Sequence, residues 1–365
     1  AQNTAVGALS GYAITTATEN SSLGYWSLSN NTTGAYNTAL GSRALTANTT
    51  ASNNTGVGYQ ALHANTTGAT NTAVGALSGD AITTGSDNTF VGSGSGSAVT
   101  DGNYNTGIGS AALAVNTGGQ NTAVGYQALT ANTTASYNVA IGKDALGANT
   151  TGDRNTAIGL QALNTNTVGD RSVAVGYSAL YTQNPASNAD MGNVAIGNLS
   201  MYSTTTGTNN TGVGFNSMFA NTTGAGNVAL GYGALDSNTT ASNNTAVGNN
   251  ALTANTTGSD NVAVGDYALY NNTTASNNTA LGSDALIANT TGANNTAVGA
   301  IAGDAITTGD RNTAVGYSSL STATTADYNT ALGAFSLSDT TTGASNTALG
   351  YYALALNTTG TQNVA

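Results

Sequence analysis

The sequence predicts an all-β fold, a parallel β-solenoid of about 21 coils of 17 residues each. Three observations carry this. A unit beginning Asn-Thr-small-aliphatic-Gly starts 21 times between Asn3 and Asn346. Its fifth position is glycine in every copy, from Gly7 to Gly350. Its fourth is Val, Ile or Leu in every copy, from Val6 to Leu349. Nineteen units have 17 residues, the unit from Asn105 has 16, and the unit from Ser172 has 21, its extra residues lying near Pro185. Length changes confined to the segment after the strand-like core are what surface turns accommodate. Positions below are counted from the first residue of each unit.

A helix is excluded because the apolar positions do not recur at three and four, and Gly, Asn and Thr recur too often. One short strand over positions 1 to 5, a second segment through position 9 and a turn written TTG or TTA make one coil. Position 1 is Asn except at Ser172. Stacked in register, Asn37, Asn121, Asn138 and Asn244 are expected to form a side-chain amide ladder, each amide donating to the next. Position 2 is mostly Thr but becomes Val at Val139, Val173, Val194, Val228 and Val262, so a β-branched shape matters there more than a hydroxyl.

Strand alternation puts positions 2 and 4 on one face and 3 and 5 on the other. The first face is expected to fill the interior, with Val124 and Ile141 in the core beside Leu129 and Leu146 of position 9. The second carries almost no side chain, and its glycines, Gly125, Gly142 and Gly248 among them, allow another backbone to come close. A coil with roughly three or four aliphatic groups has a thin stability margin, so the small-residue face is expected to pack against other chains. Position 9 is Leu or Met in 17 units, but Gly11, Gly79, Gly96 and Gly303 replace it in four. Those four carry Ile14, Ile82, Val99 and Ile306 at position 12, where the common unit has a polar residue. The apolar contact is relocated within the coil rather than lost.

Composition narrows the rest. Charged residues are 6% of the chain, and 16 acids against five Lys and Arg give a net charge of −11. No basic patch exists to neutralise phosphates, so nucleic acid is not an expected partner. No apolar run approaches the roughly 18 residues of a spanning helix, and 39% hydrophobic residues at regular spacing argue against disorder. Absent cysteine excludes disulfides and thiolate metal sites. The chain reads as a single continuous repeat region over 1–365, and both ends read as cuts from a longer protein.

NVAIGKDAL (138–146), SVAVGYSAL (172–180) and NVAIGNLSM (193–201) resemble the head repeat of trimeric autotransporter adhesins. NTAVGYQALTANTTG (121–135) is similar to repeats of phage tail-fibre proteins. The resemblance covers nearly the whole chain. It implies a left-handed β-roll, a homotrimer and an extracellular setting, on a virion tail fibre or a cell surface. The 17-residue unit is longer than the usual adhesin head repeat.

No chemistry-bearing constellation stands out. His63 is the only His, and a general base or metal site would need partners; it reads as a turn residue. Asp144 and Asp284 share position 7, and Asp153, Asp170, Asp310 and Asp327 share position 16, where Asp-Arg neighbours read as local charge balance. The Ca²⁺-binding GGxGxD repeat is absent. Asn48, Asn132 and Asn255 match the glycosylation acceptor pattern, as composition alone produces. Tyr59, Tyr126, Tyr177, Tyr232 and Tyr317 share position 6; they could stack on sugars, but covering adjacent coils or a subunit seam is the favoured reading.

The expected function is therefore non-enzymatic: an extracellular fibre or adhesin shaft that holds a binding tip away from its anchor. It needs no cofactor or metal, and its expected partners are copies of itself, with a cell-surface glycan or host receptor at the tip. Two alternatives stand beside it. One is a homopolymeric extracellular or biofilm filament built through open solenoid edges; the other is an ice-binding solenoid, disfavoured because Thr is concentrated in turns.

Overall fold

The structure is a computed structural model that describes residues 2–365. The chain divides into two compact units, Ala1–Asp190 and Met191–Ala365. Each is a parallel β-solenoid, and the described residues contain no helix. In the first unit, three-residue strands run from Thr4–Val6 to Val173–Val175, each occupying positions 2 to 4 of its coil. Neighbours pair in parallel with every position opposite its own equivalent, as in Thr122↔Val139, Ala123↔Ala140 and Val124↔Ile141. A short extra pair, Gly169–Asp170 with Ala189–Asp190, frames the long turn that carries Pro185. The second unit repeats the plan from Val194–Ile196 to Thr347–Leu349.

The strand is short because the glycine at position 5 ends it. Gly125 has φ +138°, a conformation that side-chain-bearing residues rarely adopt, and a Cβ there would meet Gly142 O at 2.5 Å. Gly142 and Gly248 face Gly159 O and Gly265 O in the same way. The close backbone neighbour is thus the next coil of the same unit. After the glycine, positions 7 and 9 take left-handed φ even without glycine, as at Gln127 (55°) and Leu129 (50°). Inter-coil hydrogen bonds continue through this stretch: Gln127 N–H donates to Ser110 O (3.1 Å), Leu129 N–H to Ala145 O (3.1 Å) and Thr133 N–H to Thr150 O (3.0 Å). The ladder outside the strands supplies partners that a three-residue strand alone could not.

The interior is built from small residues around one large one. Ala123 at position 3, Ala128 at position 8 and Leu129 at position 9 are fully buried, and so are Ala140, Ala145 and Leu146 in the next coil. Leu129 and Leu146 therefore lie in the core. Val124 and Ile141 do not: Val124 is half-buried, and Ile141 is 39% exposed. The expected face assignment is inverted, and the reason is width. Position 3 faces the position-9 side chain so closely that a Cβ added to Gly212 would lie 2.9 Å from Met201 Cγ. Only a small residue fits inside, so the branched residue of position 4 turns outward. The expectation that the small-residue face packs against other chains falls with it, because Ala123 is sealed within its own coil.

Two polar ranks run through this interior. Asn138 N–H donates to Asn121 Oδ1 (3.0 Å), Asn37 N–H to Asn20 Oδ1 (2.9 Å) and Asn244 N–H to Asn227 Oδ1 (2.9 Å). The main donor in this ladder is the backbone. The amide of Asn121 crosses its own coil to Ala135 O (2.9 Å), and Asn138 Nδ2 reaches Gly152 O (3.0 Å) as well as Asn121 Oδ1 (3.3 Å), so the expected amide-to-amide bonds are present as the weaker component. The second rank is position 12, the polar position of the common unit. Asn149 Nδ2 donates to Asn132 Oδ1 (2.9 Å) and also to Gly152 O (2.9 Å). Two ranks of amides therefore converge on one position-15 carbonyl, and these buried groups are satisfied.

Candidate functional site

Among the described residues, no group of three or more His, Asp or Glu could hold a metal ion, and no helix is long and apolar enough to cross a membrane. The polar residues singled out in the sequence are held by coil stacking. Asn48, Asn132 and Asn255 are fully buried and bonded along the position-12 rank, which removes them from the surface an acceptor site needs. Asp153 Oδ1 accepts the Ser136 N–H and Asp310 Oδ1 accepts the Ala293 N–H, each at 2.7 Å; Asp170 and Asp327 accept from Asp153 and Asp310. Position 16 is thus an inter-coil acceptor. Arg171 pairs with Asp190 rather than with its sequence neighbour. Arg154 and Arg311 lie over Tyr137 and Tyr328, at 5.5 and 5.3 Å. Asp144 pairs with Lys143 (3.1 Å).

His63 has Nδ1 3.4 Å from Arg43 O, and stacking brings it near Asp80, the position-10 residue of the following coil, which it acts on electrostatically. The sequence shows no acid near His63; the 17-residue offset supplies one.

Tyr59, Tyr126, Tyr177, Tyr232 and Tyr317 are all exposed. Tyr232 stacks on Phe215 of the preceding coil, 5.6 Å apart at 12°, and Tyr317 meets Phe335 of the following coil edge-on, 5.4 Å apart at 75°. Lys143 lies 6.0 Å from the Tyr126 ring. The Phe215–Tyr232 stack covers one face of each ring.

The surface feature with the greatest extent is the outward strand face. Val6, Leu23 and Leu40 begin it in the first unit, and Ile108, Ile141 and Ile158 continue it, all exposed. In the second unit Ile196, Leu230, Leu281 and Leu332 take the same place. Strand register sets each aliphatic side chain directly beside its equivalent, about 4.8 Å away. Thr or Val of position 2 flanks it, and neither position carries a charge in any coil. Parallel sheets are normally covered on both faces, and here one face packs on the coil interior while the other is bare. Arranged this way, the rank can bury apolar area against another surface, and no group in it can transfer a proton or act as a nucleophile.

A scan against protein-family models gives no match, and neither does a search of the curated proteins. The class that the fold defines is the parallel β-solenoid.

Proposed function

We propose that this chain is a shaft segment of an extracellular fibre or adhesin, tail-fibre-like or surface-adhesin-like, and not an enzyme. In this reading three copies pack through their outward strand faces as a homotrimer of left-handed coils, which holds a binding tip for a glycan or receptor away from its anchor. The observation that supports it is the uncharged aliphatic rank at position 4, from Val6 to Ile158 in one unit and from Ile196 to Leu349 in the other, bare on a parallel sheet. Contiguous exposed apolar surface of this kind marks interaction sites in soluble proteins. The repeat's resemblance to adhesin heads and tail-fibre proteins supports the same reading.

Sedimentation velocity and light scattering test it. The parent chain is expected to sediment as a trimer, and Ile141→Asp with Ile158→Asp is expected to give a folded monomer with unchanged circular dichroism, since both side chains point outward. A parent chain that is monomeric at micromolar concentration overturns the proposal. Indefinite filaments under the electron microscope would replace it with the homopolymer.

A further inference from the structure

Position 10 of a coil faces the backbone carbonyl of position 7 in the coil before it. Thr253 Oγ1 donates to Gly233 O (3.0 Å), Asn164 Nδ2 to Asp144 O (2.7 Å), and Thr46 Oγ1 to Trp26 O (3.2 Å) as well as to Arg43 O of its own coil (2.8 Å). His63 sits over Arg43 O in the same geometry. All three residue types, Thr, Asn and His, can present a hydrogen to a carbonyl.

Asp80, Asp236 and Asp304 occupy this position in their own coils. The residues across from them at position 7 are Gln60, Asn216 and Asp284. In all three aspartates Oδ1 is buried without a hydrogen-bond partner, and Asn216 Oδ1 shares that condition. An ionised carboxylate has only lone pairs to offer, so toward the position-7 carbonyl it gains nothing and loses its water; backbone N–H groups, of Asp80 at the first site and of Asp304 and Ala305 at the third, hold the ionised form in part, and Asp236 has no such help. One proton turns it into an O–H donor of the kind Thr253 already provides.

We infer that position 10 is a proton-gated clasp: in acid, the carboxyl groups of Asp80, Asp236 and Asp304 donate to the position-7 carbonyl of the preceding coil and tie the two coils together. Burial raises the pKa of all three above the ordinary carboxyl value. The surroundings differ. His63 faces Asp80 and opposes the rise. Asp236 lies between Phe219 and Thr253 of its rank, neither charged. Asp304 lies between Ile287 and Ser321, and Asp284 in the preceding coil pushes it further up. A carboxyl group whose pKa is raised on folding binds its proton more tightly in the fold than in the unfolded chain. Its contribution to stability is therefore full below the ordinary carboxyl range near 4 and is lost as pH rises through the raised value.

The test compares melting temperature against pH for the parent chain and for D80N/D236N/D304N, in which each amide can donate as Asn164 does at every pH. At pH 7 the triple variant is expected to melt higher than the parent by about 2–4 °C per site, and the gap is expected to close as pH falls to about 3. A gap that does not change with pH, or a variant that melts lower than the parent at pH 7, overturns the inference. Millimolar calcium chloride is added at pH 7 as a second arm. If it raises the parent's melting temperature and leaves the variant's unchanged, a cation rather than a proton completes the site.

Discussion

The coil from Asn54 and the coil from Asn71 are neighbours that fill one interior in two ways. The first uses Leu62 at position 9 and Asn65 at position 12, both fully buried. The second has Gly79 and Ile82, and a Cβ on Gly79 would lie 3.2 Å from Ile82 Cδ1, so the isoleucine occupies the space that leucine leaves. The exchange keeps one large aliphatic side chain in the interior but not the hydrogen bonding. Asn65 Nδ2 donates to Asn48 Oδ1 (3.0 Å), yet Asn65 Oδ1 has no partner, because the next position-12 residue is Ile82. The second unit repeats this: Asn289 Oδ1 is orphaned where Ile306 follows it. An apolar coil therefore ends an amide rank, and its cost falls on the coil before it.

The strongest way to break the comparison is to exchange one partner alone. Ile306→Asn removes the aliphatic side chain that lies against Gly303 and leaves only Leu286 beside it, and is expected to destabilise the chain by about 2–5 kcal/mol, the range for core truncations that leave a cavity. Adding Gly303→Leu converts the coil to the common type and offers Asn289 Oδ1 a donor, so most of the loss is expected to return. Urea unfolding of the two singles and the double, read as a double-mutant cycle, measures the coupling, and additive effects would mean that the two positions do not share the space.

A smaller effect separates the two kinds of asparagine. Asn132 accepts from Asn149 and donates to Ala135 O (3.0 Å), whereas Asn289 only donates, to Asn272 Oδ1 and Gly292 O. Asn132→Ala breaks one more buried hydrogen bond than Asn289→Ala, the one that Asn149 Nδ2 donates, so it is expected to cost about 0.5–1.5 kcal/mol more in the same denaturation assay. The smallest effect belongs to the surface: Ile108→Thr, at an exposed position 4, is expected to change the stability of the monomeric Ile141→Asp/Ile158→Asp background by less than about 0.5 kcal/mol, as a side chain outside the core should.

The coil period, its constant glycine and the relocation of the apolar contact from Leu to Ile82 or Ile306 were legible in the sequence, because each depends on spacing alone. The inside and the outside of the strand were not. Alternation separates Ala123 from Val124 but does not say which faces inward, and the usual rule that the larger apolar residue is inside gives the wrong answer where the interior is too narrow. One residue did carry the signal. Phe90 is the single large side chain at position 3, in the coil that has Gly96 at position 9. It is fully buried, and a Cβ on Gly96 would lie 2.6 Å from its ring. A large residue at position 3 matched by an absent one at position 9 places both inside. The aspartates of position 10 were invisible for another reason: their partners lie a full coil away, and their unmet hydrogen bonds appear only in three dimensions.

With Ser172 the one position-1 residue that is not asparagine, within each unit the position-1 asparagine makes the junctions between coils alike. Its Oδ1 receives the backbone of the coil that follows, while its Nδ2 fastens the end of its own coil, so the joint after Asn121 and the joint after Asn244 have the same donor and acceptor. A whole coil can then be duplicated or excised in a gene, and the new neighbours meet through a connector they already possess. Length in such a chain is a quantity that can drift in steps of 17 residues without a matching change elsewhere, which is how a spacer can be tuned to a distance while its architecture stays constant.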